Sequence, residues 1–88
     1  MKIKTGYILR SIDDQHVVVP TGETAINFNG IITLNATGKT LFKALKSEQT
    51  TADLVKILTD TYDVDATRAQ KDVTTFIKTL KKHGLLDA

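Results

Sequence analysis

The chain has 88 residues and no cysteine, with 41% apolar residues, 25% charged residues and a formal net charge of +2. This length predicts one small domain, residues 1–88, with one modest core, and the composition is ordinary for a soluble globular protein. The lack of cysteine excludes a disulfide framework and a thiolate metal site, and the small net charge gives little support to a nucleic-acid partner.

The N-terminal segment predicts neither export nor membrane insertion. MKIKTGYILRSIDD has two lysines but no apolar core of signal-peptide length before Arg10. No apolar run approaches the roughly 20 residues that are needed to cross a bilayer. We therefore expect a cytoplasmic protein that does not associate with a membrane.

The first third of the chain predicts three strands. Residues 7–12 and 16–20 are rich in β-branched and aromatic side chains, and the polar turn signal Asp13-Asp14-Gln15 between them predicts a hairpin. Pro20 has no amide donor, so it should lie at a strand end or on a sheet edge. Residues 31–34 are the best portion of the third predicted strand.

Three helical patterns follow the strands. Asn35 is a good N-cap for a helix over residues 36–46, because its side-chain oxygen can accept from a free amide in the first turn. Gly38 is unfavourable inside a helix, which suggests that another part of the chain passes close to it. Thr50 and Asp53 form a capping pattern for a second helix, and Asp65 is the expected N-cap of a third helix over residues 66–83.

The third helix has the most regular pattern. Its apolar residues recur with a period of 3.6 and are Ala69, Val73, Phe76, Ile77 and Leu80. Gly84 is expected in the left-handed conformation after this helix, with Leu85 folding back as its hydrophobic contact. Three strands followed by three closely connected helices predict an α+β fold that resembles a winged helix-turn-helix, with a three-stranded antiparallel sheet.

The sequence contains no recognisable catalytic or metal-binding constellation. His16 lies beside a hairpin turn and His83 in a last helical turn, and neither has a partner at i+3 or i+4 suited to a metal. Asp60, Asp63 and Asp65 lack the glycine and the terminal glutamate of a calcium loop. We therefore expect no enzymatic activity, no metal and no cofactor.

A winged-helix DNA-binding protein is the alternative that the helix-turn-helix pattern raises. Arg68 and Gln70 lie near the start of the third helix, where a recognition helix presents side chains to base edges. Aspartates on the preceding helix and turn would repel a phosphate backbone. The lysines cluster at the other end of the helix, where the helix dipole already explains them. We therefore expect no nucleic-acid partner.

A peptide-binding protein is the third possibility. A small sheet has edges, and an exposed edge can accept an extended peptide as an added strand beside an apolar helix face. Residues 31–34 would supply the edge. Val73, Phe76 and Leu80 would supply the margin of the helix face, since most of that stripe belongs to the core.

From Tyr7 onward the chain carries a recognisable series of features in a particular order. They are the Leu34-Asn35 junction followed by Gly38, the link Tyr62-Asp63-Val64-Asp65, and the terminal Phe76, Leu80, Gly84, Leu85 and Leu86. Together these features resemble the PqqD family, the pyrroloquinoline quinone synthesis protein D type of peptide chaperone. Its members are also called RiPP precursor peptide recognition elements.

The resemblance implies a protein without enzymatic activity that binds the leader segment of a ribosomally synthesised precursor peptide. Family members present the leader to a modifying enzyme, often a radical SAM enzyme. The leader adds as a strand to the third strand and packs against the third helix. Carried over by position, the peptide-binding residues are Ile31, Ile32, Thr33, Leu34, Ala69, Asp72, Val73, Phe76 and Leu80. The segment GETAINFNGIITLN is similar to stand-alone members that serve diverse peptide-modifying enzymes, which favours a product other than the quinone.

Overall fold

The computed structural model describes residues 1–22 and 32–87. The elements of this part are β1 (Lys2–Ile3), β2 (Tyr7–Ile12), β3 (Gln15–Pro20), β4 (Ile32–Leu34), α1 (Ala36–Ala44), α2 (Thr51–Thr61), α3 (Ala66–Lys82) and β5 (Leu86–Asp87). Strands β2, β3 and β4 form an antiparallel sheet in that order, and β1 pairs with β5 in a separate antiparallel ladder. The predicted α+β class, with a three-stranded antiparallel sheet followed by three helices, is confirmed.

A tight turn joins β2 to β3. Ile12 pairs with Gln15 across the turn, and Asp13 adopts a φ of 54°, a conformation that aspartate tolerates better than most residues. Pro20 ends β3, which confirms its predicted place at a strand end. Val18 is fully buried, so the inner face of this hairpin packs into the core.

The β1–β5 ladder is absent from the sequence-based prediction. Its strands have two residues each, too few to show an alternating pattern. The Ile3 amide donates to the Leu45 carbonyl at 2.8 Å, and the Gln49 side-chain amide donates to the Ala44 carbonyl at 3.1 Å. The Lys46 and Ser47 amides donate to carbonyls three residues earlier, so the α-helical pattern ends at Ala44, two residues earlier than predicted.

The predicted caps begin α1 and α2. The Asn35 side-chain oxygen accepts from the Gly38 amide at 2.8 Å. Thr50 and Asp53 form a capping box, in which each side chain accepts from the backbone amide of the other residue. The hydrogen bonds from the Thr50 amide and the Thr50 side chain lower the pKa of the Asp53 carboxyl.

The third helix begins at the predicted residue and ends at Lys82, one residue earlier than predicted, with His83 as its C-cap. Asp65 is its N-cap, and Gly84 follows it with a φ of 73°. The Gly84 amide donates to the Lys81 carbonyl at 3.1 Å, and the Leu85 amide donates to the Leu80 carbonyl at 2.9 Å. These two bonds form a Schellman motif. Leu85 is fully buried in the same core cluster as Leu80, so the expected hydrophobic contact is confirmed.

One cluster of apolar side chains joins the inner face of the sheet to all three helices. Its largest fully buried members are Phe42, Leu41, Leu45, Leu54, Leu58, Leu80, Leu85, Val18 and Val73. Among the described residues no polar or charged side chain is buried. The fold therefore depends on apolar burial and close packing rather than on a buried polar network.

The corner between β4 and α1 leaves little space beside Gly38. A Cβ at this position would lie 3.2 Å from the Leu34 Cβ and 3.2 Å from the Asn35 side-chain oxygen. That oxygen already accepts from the Gly38 amide and from the Thr37 hydroxyl, at 2.8 and 2.9 Å. The close approach expected at Gly38 is confirmed, since the first turn of the helix lies directly against the end of the strand.

We expect Gly38→Ala to lower the free energy of unfolding by about 1 kcal/mol, although alanine is favoured over glycine inside a helix by about the same amount. The added methyl group has to displace either the Leu34 Cβ, which is tied to the strand backbone, or the capping oxygen of Asn35. Urea unfolding followed by circular dichroism measures the change. A variant that is as stable as the wild type would show that the strain at this corner costs only about the 1 kcal/mol that alanine gains in helix propensity, and a variant that is more stable by that amount would show that the corner opens without cost.

Candidate functional site

A groove of about 390 Å³ lies between β4, the first turns of α1 and one side of α3. It is lined by Thr33, Leu34, Asn35, Thr37, Gly38, Leu41, Lys71, Asp72, Thr75, Phe76 and Thr79. Leu41, Leu34 and Phe76 are 1%, 8% and 9% exposed, so they form an apolar floor that continues into the core. Exposed or half-buried threonines form much of the rim. The groove therefore offers apolar contact at its floor and hydroxyl groups at its rim.

The backbone of β4 is open at Thr33. Hydrogen-bonded pairs alternate along an antiparallel ladder, and the Thr21 amide donates to the Gly6 carbonyl at 2.8 Å. By this alternation Val17 directs its backbone groups toward Arg10 on β2. Thr33, which lies opposite Val17, therefore directs its amide and carbonyl away from β3. No other described strand pairs with β4, so these two groups lie on an open edge.

Two charged side chains lie at the α3 side of the groove. The Asp72 carboxylate is one-third exposed, and its oxygen lies 3.6 Å from the Arg68 side-chain nitrogen one helical turn earlier. Lys71 is exposed and has no ion-pair partner within residues 1–22 and 32–87. The acidic group at the groove is therefore already paired, whereas the lysine ammonium is available to a ligand.

The structure brings four of the predicted peptide-binding residues together. Thr33 and Leu34 line the groove from the strand, and Asp72 and Phe76 line it from α3. Thr33 supplies open backbone groups, Leu34 and Phe76 supply apolar surface, and Asp72 is held by its ion pair. Their role in binding a peptide stays a prediction, but their arrangement in one groove is a property of the fold.

The other predicted residues lie elsewhere. Ile32 is buried on the inner face of β4, and Ala69, Val73 and Leu80 are fully buried in the core. None of these four side chains lines the groove. Ile31 lies outside the described residues. Peptide contact by any of these five residues stays a prediction.

Sequence reasoning did not assign several groove residues to the site. Lys71, Thr75 and Thr79 recur at intervals of four, which places them on one side of α3 next to the buried stripe. Thr37 and Leu41 reach the groove from α1. The spacing of the α3 residues was a usable signal. Polar residues at that spacing nevertheless indicate a solvent-facing side unless the position of the neighbouring strand is known.

The described residues offer little for other chemistry. They contain no group of three or more His, Cys, Asp or Glu side chains that could hold a metal ion. His16 lies 3.0 Å from the Ser11 hydroxyl on the hairpin, His83 is the C-cap of α3, and neither lines the groove. Across the described ranges, no helix combines the length and the apolar character needed to span a bilayer.

Comparisons with known proteins identify a family and two proteins of similar fold. The sequence model of the family described as Coenzyme PQQ synthesis protein D (PqqD) matches residues 7–86. A search of curated proteins finds no match. The fold is similar to that of TbiB1, solved in complex with the TbiA(beta) leader peptide, with 23% identity, coverage of 100% of this chain and 96% of that chain, and a TM-score of 0.76. It is also similar to lasso peptide synthetase B1 complexed with the leader peptide, with 21% identity, 96% and 93% coverage, and a TM-score of 0.71.

Proposed function

The chain belongs to the PqqD family, and we propose that it binds the leader segment of a ribosomally synthesised precursor peptide by adding the leader as a strand to β4. The groove carries this proposal, because an open strand edge at Thr33 lies beside the apolar floor of Leu34, Leu41 and Phe76. Strand addition uses these two features together, backbone groups for affinity and a pocket for alternate side chains. Two proteins of similar fold have been solved with leader peptides bound, which supports a leader as the ligand.

The dimensions of the groove favour a ligand with one or two apolar anchors. Successive side chains of a strand point to opposite faces, so every second side chain of an added strand faces α3. Burial of two such side chains contributes a few kcal/mol at about 25 cal/mol per Å², before the cost of ordering the peptide. Hydrogen bonds to the Thr33 amide and carbonyl would then hold the peptide in register.

The bound leader is presented to a modifying enzyme, which we propose to be a radical SAM enzyme, and this protein contributes no catalytic group of its own. The family membership and the composition of the groove support this role, since its lining has neither histidine nor cysteine. We place the encounter in the cytoplasm, where ribosomal precursor peptides are made.

A backbone NMR titration with the precursor peptides encoded beside the gene tests the proposal. A cognate leader should shift the amide signals of β4, the first turn of α1 and the groove side of α3, because these segments line the groove. The β1–β5 ladder should change little and provides the internal control.

Shifts spread over other surfaces would contradict this site. A winged-helix DNA-binding protein predicts a different result, namely micromolar affinity for a duplex that falls steeply with salt and depends on Arg68 and Lys71. Duplex binding combined with no response to any leader would favour that alternative.

Thr33→Pro should weaken leader binding by about tenfold or more, because it removes a backbone donor that faces away from β3 and is not used in the β3–β4 pairing. Thr33→Val keeps the amide and the β-branched shape, so it should bind like the wild type. Isothermal titration calorimetry measures both affinities, and circular dichroism verifies that both variants are folded. Wild-type affinity in a folded Thr33→Pro protein would exclude this edge as the binding strand.

Two adjacent threonines on α3 provide a matched pair for filling the groove. Thr75 lines the groove, whereas Thr74 is exposed and lies outside it. Thr75→Trp should reduce leader affinity by about tenfold or more, because a large side chain occupies the space of the peptide, and Thr74→Trp should leave it unchanged. Fluorescence anisotropy of a labelled leader measures both. Equal losses in the two variants would indicate a general disturbance of α3 rather than an occupied groove.

A further inference from the structure

The exposed surface of α3 is predominantly basic. Its cationic residues are Arg68, Lys71, Lys78, Lys81 and Lys82, and all five are exposed. Asp72 is the acidic residue of the helix, and it pairs with Arg68. Within the described residues the four lysines have no ion-pair partner. The surface of α3 therefore carries positive charge that no described residue neutralises, and Lys71 brings part of this charge to the groove.

Lys71 connects this charge to the groove. It is the lysine of α3 that lines the groove, and it is one turn before Thr75, which also lines it. A lysine can lay its apolar stem along a surface while its ammonium group stays in water. The ammonium group of Lys71 can therefore meet a ligand carboxylate at the rim while another side chain of the ligand occupies the floor at Phe76.

We propose, on the basis of the leader-binding function above, that the peptide bound in this groove is acidic, with a carboxylate side chain that contacts Lys71 close to a large apolar anchor on the floor. Lys71 and Phe76 are five residues apart, about 7.5 Å along the helix axis and about 140° around it. Both line the groove, and the flexible stem of the lysine can reach across this angle toward the floor. Three residues of an extended peptide span about 10 Å, so the acidic residue lies within three positions of the anchor. The remaining lysines accelerate encounter with such a peptide by electrostatic steering.

A peptide fits the surface better than a nucleic acid. A phosphate backbone would also satisfy the lysines, but it offers neither an amide and carbonyl to pair with Thr33 nor an apolar side chain for the floor formed by Leu34, Leu41 and Phe76. An acidic strand satisfies all three features of the groove. The charge is thus a specificity determinant for the same ligand that uses the strand edge.

Selection from a displayed library of random peptides tests the chemistry and does not require the natural leader to be identified. Wild-type protein should enrich peptides in which Asp or Glu lies within three positions of a large apolar residue. Lys71→Glu should shift the enriched charge to Lys or Arg at the same position. Lys46→Glu makes the same change of charge in the exposed loop after α1, outside the groove, and should preserve the acidic preference.

Affinities for one enriched peptide sharpen the result. Lys71→Glu should weaken binding by about five- to tenfold, since a partly exposed attraction is replaced by a repulsion. When the acidic residue of the peptide is replaced by lysine, the Lys71→Glu variant should recover most of the lost affinity. The same peptide should bind more weakly to the wild type. Raising the salt concentration tenfold should lower the affinity for the acidic peptide several-fold and should lower the affinity for a neutral analogue much less.

The other outcomes distinguish failure of the leader-binding function from failure of this inference alone. If no peptide is enriched, or if enriched peptides bind equally well to Thr75→Trp, the leader-binding function itself fails, and the inference fails with it. If groove-binding peptides are enriched without a preferred acid, or if Lys46→Glu causes the same loss as Lys71→Glu, the inference fails alone. A DNA duplex that displaces the enriched peptide and binds more tightly would overturn the inference in favour of a nucleic-acid ligand.

Discussion

Asn35 joins β4 to α1 without an intervening loop, and the geometry of the groove depends on this junction. Its side-chain oxygen accepts from the Gly38 amide, so the chain leaves the strand and starts the helix within one residue. The missing side chain at Gly38 lets the first turn of α1 lie against Leu34. As a consequence, the open edge at Thr33 and the floor residue Leu41 lie in one groove, although they belong to different elements.

The groove is the margin of the core rather than a separate pocket. Phe76 is 9% exposed and belongs to the core cluster, yet it also lines the groove. A ligand that packs on it would extend the apolar core by one more strand. Such a site needs backbone groups and apolar edges but no reactive side chain, which is why a chain without catalytic motifs can still have a well-defined binding surface. The PqqD resemblance that the sequence features indicated is confirmed by the match over residues 7–86.

Local signals predicted most of the fold. The helix starts follow from the capping residues Asn35, Thr50 and Asp65, and the end of α3 follows from Gly84, since each makes hydrogen bonds within a few residues of itself. The β1–β5 ladder could not be predicted in this way. It joins two-residue strands from opposite ends of the chain, and only the packing of the core between them brings those strands together.

The sequence by itself determined which face of α3 is apolar, because that face follows from the 3.6-residue spacing of the apolar residues along the chain. Only the tertiary structure decided how that helix meets the groove. Ala69, Val73 and Leu80 are fully buried, whereas Lys71 and Thr75 beside them line the open surface. Periodicity specifies the faces of a helix but not the strand that lies next to each face. That neighbour, and the outward direction of the backbone at β4, are set by long-range strand pairing and core packing, which no local pattern encodes.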